Sequence, residues 1–209
     1  MSQQDLQPSQ DLAQLVRDLN AAGHNPATSG NYSLRSLDLP GYALVSESGV
    51  DKSRFTIANL LPIQIATGEP HPSLAGQGRK SSDETALHLT IYQNSAAGSV
   101  LHSHHLDSLL FADLHPGQTS LTLTGLELLK GFQGVKTHET ELQIPCLNNS
   151  QDMQILGAEV NKAMALHPAA WGFLLRGHGL YVWGNSLQDA KRHLEVFAYV
   201  FQYHVRNRR

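Results

Sequence analysis

A run of small and apolar residues, Ala96 to Leu101, leads straight into His102-Ser103-His104-His105, and this stretch constrains the chain more than any other. In an extended strand, residues two apart share a face, so His102 and His104 project together while Ser103 turns away. Two imidazoles side by side at a strand end make a pair for a divalent metal, and neutral imidazole suits zinc well. A third ligand has to come from elsewhere. Arg176-Gly177-His178-Gly179 offers it, because His178 follows a second strand-like run, Trp171 to Leu175, and its flanking glycines let the backbone come close. Three histidines with an open fourth position describe a catalytic zinc site. The chain holds 12 histidines in 209 residues, so an i, i+2 pair also arises without any metal, and the weight of the reading falls on the rest of the sequence.

The length is that of one domain with a sizeable core. A formal net charge of −3 leaves no basic footprint, which argues against a nucleic-acid partner. No apolar stretch approaches the ~20 residues that span a bilayer, and the first residues lack the pattern of a signal peptide. A lone cysteine, Cys146, forms no internal disulfide and fits a reducing compartment. These features predict a soluble, cytoplasmic protein.

Along the chain, residues 1–8 are polar and are expected to be a disordered tail, followed by a single domain over 9–209. Ser9 is placed to cap a helix with Leu12, Leu15, Val16 and Leu19 on one face. Asn25-Pro26-Ala27-Thr28-Ser29-Gly30-Asn31 is turn-rich, either the entry to a hairpin or a set of backbone N–H groups that cradle a phosphate. Tyr42 to Ser46 reads as a strand ending in a second small-residue turn, Ser46-Glu47-Ser48-Gly49, with Lys52 close behind and read as solvated. Ser81-Ser82-Asp83-Glu84 opens a helix to about Asn94. There, Glu84 either complements the helix dipole or faces a metal. Further strands are expected at Leu121–Thr124, at Gln143–Leu147 (an edge strand, because Pro145 cannot donate) and on either side of His178. Helices are expected over Leu106–Leu114, from Asp152, and from Ser186. Helices and short strands mix without regular βαβ alternation, and no GxGxxG or Walker pattern is present. The expected fold is α/β, with a mostly antiparallel sheet between helical layers.

Taken together, Thr28-Ser29-Gly30-Asn31, Ser48-Gly49, Ser81-Ser82-Asp83-Glu84, His102-x-His104 and Gly177-His178-Gly179 resemble the class II (zinc-dependent) aldolase and adducin-like family, in the family's order and over nearly the whole chain. Leu128–Glu139, Ile144–Asp152 and Arg176–Gly184 are similar to a branch of it that removes water from a ketopentose 1-phosphate. Ser81, Asp83, Cys146 and Met153 depart from that branch's pattern. The resemblance implies an αβα fold, one zinc on His102, His104 and His178, and a small sugar-phosphate substrate. It implies phosphate binding by Thr28, Gly30, Asn31, Ser48, Gly49, Ser81 and Ser82. Glu84 matches the acid/base position of the related aldolases, and Glu127 lies where animal members of the dehydratase branch place a catalytic glutamate, so both are expected in the site. The family is also implied to form symmetric oligomers, commonly tetramers, with sites near subunit boundaries. An aldolase, a pentulose-phosphate 4-epimerase and a non-catalytic adducin-like module remain alternatives. His88, His105 and His138 are read as packing residues or as supports behind the ligands, rather than as ligands.

Overall fold

The computed structural model describes residues 3–207. Period-two alternation in the strands generates two cores. In β2 (Tyr42–Ser46), β4 (Ser99–Ser103), β7 (Gly172–Leu175) and β8 (Gly179–Gly184), Leu44, Leu101, Leu174, Leu180 and Val182 enter one cluster. Their neighbours Ala43, Val45, Val100, Phe173, Leu175, Tyr181 and Trp183 enter the other. With both sheet faces apolar, each has to be covered by helices. Helices α1 (Gln3–Ala21), α3 (Leu106–Asp113) and α5 (Leu187–Arg206) cover the first face through Leu12, Val16, Phe111, Leu194, Phe197 and Phe201. On the second face lie α2 (Thr85–Asn94) and α4 (Met153–Leu166), with Leu87, Ile91, Leu156 and Val160 inward. The expected three-layer αβα arrangement is observed.

With β1 (Asn31–Arg35), β3 (Leu60–Gln64), β5 (Ser120–Leu123) and β6 (Leu142–Leu147), the sheet runs β3-β2-β1-β4-β8-β7-β6-β5. Its pairs are antiparallel except β6 with β7. The register decides where function can sit. Asn31 pairs with His102, Ser103 with Leu180, Leu175 with Gly179 and Leu147 with Leu175. The start of β1, the ends of β2, β4, β6 and β7, and the β7–β8 turn therefore share one end of the sheet.

Several boundaries differ from the sequence expectation. Of the expected 1–8 tail, residues 1 and 2 lie outside the described residues, while 3–8 form the opening turns of α1 despite Pro8. Asp5 explains this. Its buried carboxylate accepts from Leu37 N at 2.7 Å, Asp38 N at 3.3 Å and the Ser36 hydroxyl, which pins the helix to the β1–β2 turn. Asp5→Ala removes a charged acceptor from three donors. It should lower stability by about 2 kcal/mol, a fall in Tm of roughly 5 °C in a thermal melt. The second helix starts at Thr85 rather than at the serines, with Glu84 as its N-cap but with no capping hydrogen bond from the Glu84 side chain. Strand β3 was not anticipated; it tolerates Pro62 because it is an edge. Conversely, β6 is interior although it carries Pro145. The Cys146 N–H donates to Thr119 O at 2.9 Å on the β5 side, so the Pro145 nitrogen faces β7, whose pairing begins only at Cys146.

Candidate active site

At the shared end of the sheet, β4 carries His102, and His104 follows just beyond its last residue with its ring on the same side, as period two requires. Their Nε2 atoms face each other at 2.9 Å. Strand β8 begins at Gly179, where a Cβ would stand 2.3 Å from Ser103 O and 3.2 Å from the His102 ring. Only glycine lets the β7–β8 turn close against β4 and bring in His178, whose ring lies 4.9 Å from those of both His102 and His104. Glu84 enters from the other side, at the start of α2. Its Oε1 is 2.7 Å from His178 Nε2 and its Oε2 is 3.9 Å from His102 Nε2, while Asn31 Nδ2 donates to Oε2. One ligand atom from each of Glu84, His102, His104 and His178 falls within 4.8 Å of every other.

The surroundings fit a divalent cation. His102 Nδ1 is 3.1 Å from Leu180 O and His178 Nδ1 is 3.2 Å from Asn149 Oδ1. Donation to Leu180 O leaves the His102 Nε2 lone pair directed at the cluster, and the Asn149 contact orients the His178 ring, the outer hydrogen bond that positions a metal-binding imidazole. His102 is fully buried and stacked on Tyr181 at 3.9 Å between centroids. Burial and the facing His104 ring push the His102 pKa well below its ordinary value, and burial with His178 lowers that of His104. Burial alone would raise the Glu84 pKa, but the His178 hydrogen bond and the neighbouring imidazoles outweigh it and bring it to about 2. At neutral pH the Glu84 carboxylate is ionised while His102 and His104 are neutral. His102 and His104 offer lone pairs and Glu84 one negative charge, as a bound cation requires.

Beside the cluster lies a cavity of about 370 Å³, within the size range of small-molecule sites. Thr28, Gly30 and Asn31 line it from the β1 entry, Ser48 and Gly49 from the turn after β2, and Ser82 from the approach to α2. Gly30 has φ +81°, and a Cβ there would meet the Tyr32 hydroxyl at 2.9 Å and His102 O at 3.1 Å, so the loop packs onto the metal strand only as glycine. Ser81 is the exception among the expected phosphate residues. It bridges to Glu47 and does not line the cavity, since neighbours in an extended segment face opposite ways.

Lys52 is not solvated. It is 1% exposed, and its Nζ donates to Thr28 O at 3.1 Å and Val50 O at 3.4 Å at the cavity wall. Burial lowers its pKa, with the Asp51 charge opposing. Nothing in the sequence pattern distinguished it from a surface lysine.

Glu127 does not join Glu84 within one chain. It lies in a short 3-10 helix, Glu127–Gly131, with its side chain 69% exposed, paired with Lys130 and 3.6 Å from His138. Leu129 of the same turn is fully buried in the core under α5, and that anchor turns Glu127 outward. The three histidines read as packing or supporting residues lie outside the cluster. His88 Nδ1 is 2.8 Å from the Ser33 hydroxyl, His105 stacks on His24, and His138 neighbours Glu127. Sequence reasoning missed the Asn149-Ser150-Gln151 segment and Met153 as cavity walls. The available signal was topological: the segment follows β6, which ends at the same sheet end as His178.

Residues 10–205 match the family described as the Class II Aldolase and Adducin N-terminal domain. The methylthioribulose-1-phosphate dehydratase of Xanthomonas campestris pv. campestris (strain 8004) is 40% identical over 195 residues, covering 91% of this chain and 86% of that protein. That of Marinobacter nauticus is 36% identical over 196 residues, 93% and 90% of the two chains. Among solved structures, L-fuculose-1-phosphate aldolase from Thermus thermophilus superposes with a TM-score of 0.70 at 24% identity, over 93% of this chain and 91% of that one. A sugar-phosphate aldolase from Thermotoga maritima gives 0.71 at 15%, over 99% of both. At those identities the structures speak for the fold alone. The match over residues 10–205, nearly the full length, places this chain in the class II aldolase and adducin family.

Proposed function

We propose that the protein is a methylthioribulose-1-phosphate dehydratase, a hydro-lyase that converts 5-methylthioribulose 1-phosphate to 2,3-diketo-5-methylthiopentyl 1-phosphate in methionine salvage. The observation that carries the reading is 36–40% identity, over most of both chains, to relatives of that name, joined to three convergent imidazoles and a carboxylate beside a polar cavity. The proposed unit is one catalytic domain that takes in the whole of α1 rather than starting at residue 9, and that acts in the cytoplasm. Among the described residues no helix is long and apolar enough to cross a membrane.

Dehydration needs a proton taken from C3, α to the ketone, and hydroxide lost from C4. The C3–H electron pair becomes the C3–C4 double bond as the C4–O bond breaks, and the resulting enol gains a proton at C4 to become the second ketone. His102, His104 and His178 are the proposed holders of zinc, which when bound supplies a Lewis acid for the ketone oxygen. Glu84, ionised and tethered by Asn31, is the proposed base at C3. The phosphate is assigned to Thr28, Gly30, Asn31, Ser48, Gly49 and Ser82 with Lys52 behind them. That buried ammonium donates only to carbonyl oxygens and has no carboxylate within ion-pair distance among the described residues, so a dianion in the loops would supply its counter-charge.

We assign Glu127 to protonation of the leaving hydroxyl in a neighbouring subunit of a proposed tetramer. Leu106 and Leu110 on α3 and Tyr199 and Tyr203 on α5 leave apolar surface exposed, as subunit contacts require, and Glu127 lies outside its own chain's cavity. Co-assembly of two variants tests this. Glu127→Gln and His104→Ala, each inactive alone, should regain about a quarter of wild-type activity when mixed subunits unite an intact half from each. No recovery would exclude the shared site. For the reaction itself, the metal-loaded protein should release the diketone from methylthioribulose 1-phosphate. Two shorter carbon fragments would instead mark a retro-aldol enzyme.

A further inference from the structure

The cavity is polar from end to end except at one residue. Its walls are hydroxyl, amide, charged and imidazole side chains and glycine, and Met153 is the only large apolar side chain among them. The sheet order places that residue. Reading along the shared end of the sheet, the loop after β2 carries Ser48 and Lys52, the entry to β1 carries Gly30, the end of β4 and the residue after it carry the histidine pair, the β7–β8 turn carries His178, and β6 leads into Asn149–Met153. With neighbouring strands about 4.8 Å apart, the anion-binding loops and the Met153 segment lie on opposite sides of the histidine cluster.

That segment is held firmly. Asn149 meets His178 Nδ1, and the Asp152 carboxylate caps α4 by accepting from Gln154 N at 2.9 Å and Ile155 N at 3.1 Å. Met153, the first residue of α4, packs partly against the core on the α2/α4 side. Asn149, Ser150, Gln151 and Met153 bring no charge to this end of the cavity.

We infer that the Asn149–Met153 end reads the group on C5 of the substrate, with the Met153 side chain as the apolar contact for a thioether methyl. The inference rests on the function proposed above. A chain anchored by its phosphate at the β2/β1 loops and by its ketone at the cluster can extend its fifth carbon only away from the phosphate, toward α4. A neutral, apolar C5 group loses water to Met153 there, while a hydroxyl or charged group gains nothing from it.

The test compares steady-state kinetics on 5-methylthioribulose 1-phosphate and on ribulose 1-phosphate, which carries a hydroxyl at C5. Wild type should prefer the methylthio substrate. Met153→Gln, of similar length and suited to a helix start, should cut kcat/KM for the methylthio substrate about tenfold through KM while leaving that for the hydroxyl analogue within about twofold. Met153→Leu should keep the preference. Equal losses on both substrates in Met153→Gln would mean a structural role and overturn the inference, as would an unchanged preference. A wild-type protein that dehydrates neither substrate would overturn the proposed function and this inference with it. A wild type that dehydrates the methylthio substrate, paired with an unaltered Met153→Gln, would sink only the inference.

Discussion

Replacing Glu84 with glutamine should lower kcat by about 10³-fold, the scale of a lost general base, while the protein keeps its metal at one ion per chain. Glu84 touches His178 Nε2 at 2.7 Å and is tethered by Asn31, and it stands at the cavity wall beside the cluster rather than behind it. Glutamine preserves the length of the side chain and an oxygen for Asn31, so the start of α2 should hold. What it removes is the carboxylate, which stays ionised throughout the neutral range. Metal analysis beside kinetics separates the two roles open to this residue. Full metal content with a collapsed kcat is the expected result. Loss of metal in step with activity would make Glu84 a ligand instead, and activity within tenfold of wild type would remove it from the chemistry.

His104→Ala should lose the ion and reduce kcat by more than about 10³-fold, with the fold intact by circular dichroism. His104 is the better histidine to truncate. His102 is fully buried and stacked on Tyr181, so its removal would leave a cavity costing roughly 3 kcal/mol and confuse unfolding with loss of metal. His104 is only partly buried and lines the cavity. The wild-type protein stripped by a chelator should show the same loss and recover on addition of zinc, whereas the variant should not recover. A His104→Ala protein that binds zinc and turns over at wild-type rate would break the link between cluster and reaction.

The parts of the site that lie close together in sequence were legible there. His102 and His104 share a strand face because alternation is a local property, and the turns around Gly30 and Gly49 follow from local turn chemistry. Their positive φ angles, +81° and +72°, agree with that. The strand runs, the caps at Asp152 and Ser186 and the apolar faces of the long helices were readable for the same reason.

What the chain could not announce were relations set by strand order and register. Glu84 approaches the histidines only because α2 packs against β1, where His88 and Tyr92 meet the Ser33 hydroxyl, and its side chain serves the cluster rather than capping its own helix. Lys52 is buried by the same closure of loops, while the anchor of Leu129 turns Glu127 away. The early start of α1 depends on Asp5 reaching a turn more than thirty residues on, and β6 is interior because Pro145 points its missing donor at an unpaired stretch. The sequence by itself determined the family, the layers and the identity of the three imidazoles. Tertiary structure alone decided which carboxylate, which lysine and which end of the cavity join them, because alternation and capping are written in neighbouring residues whereas strand order sums contacts between residues far apart.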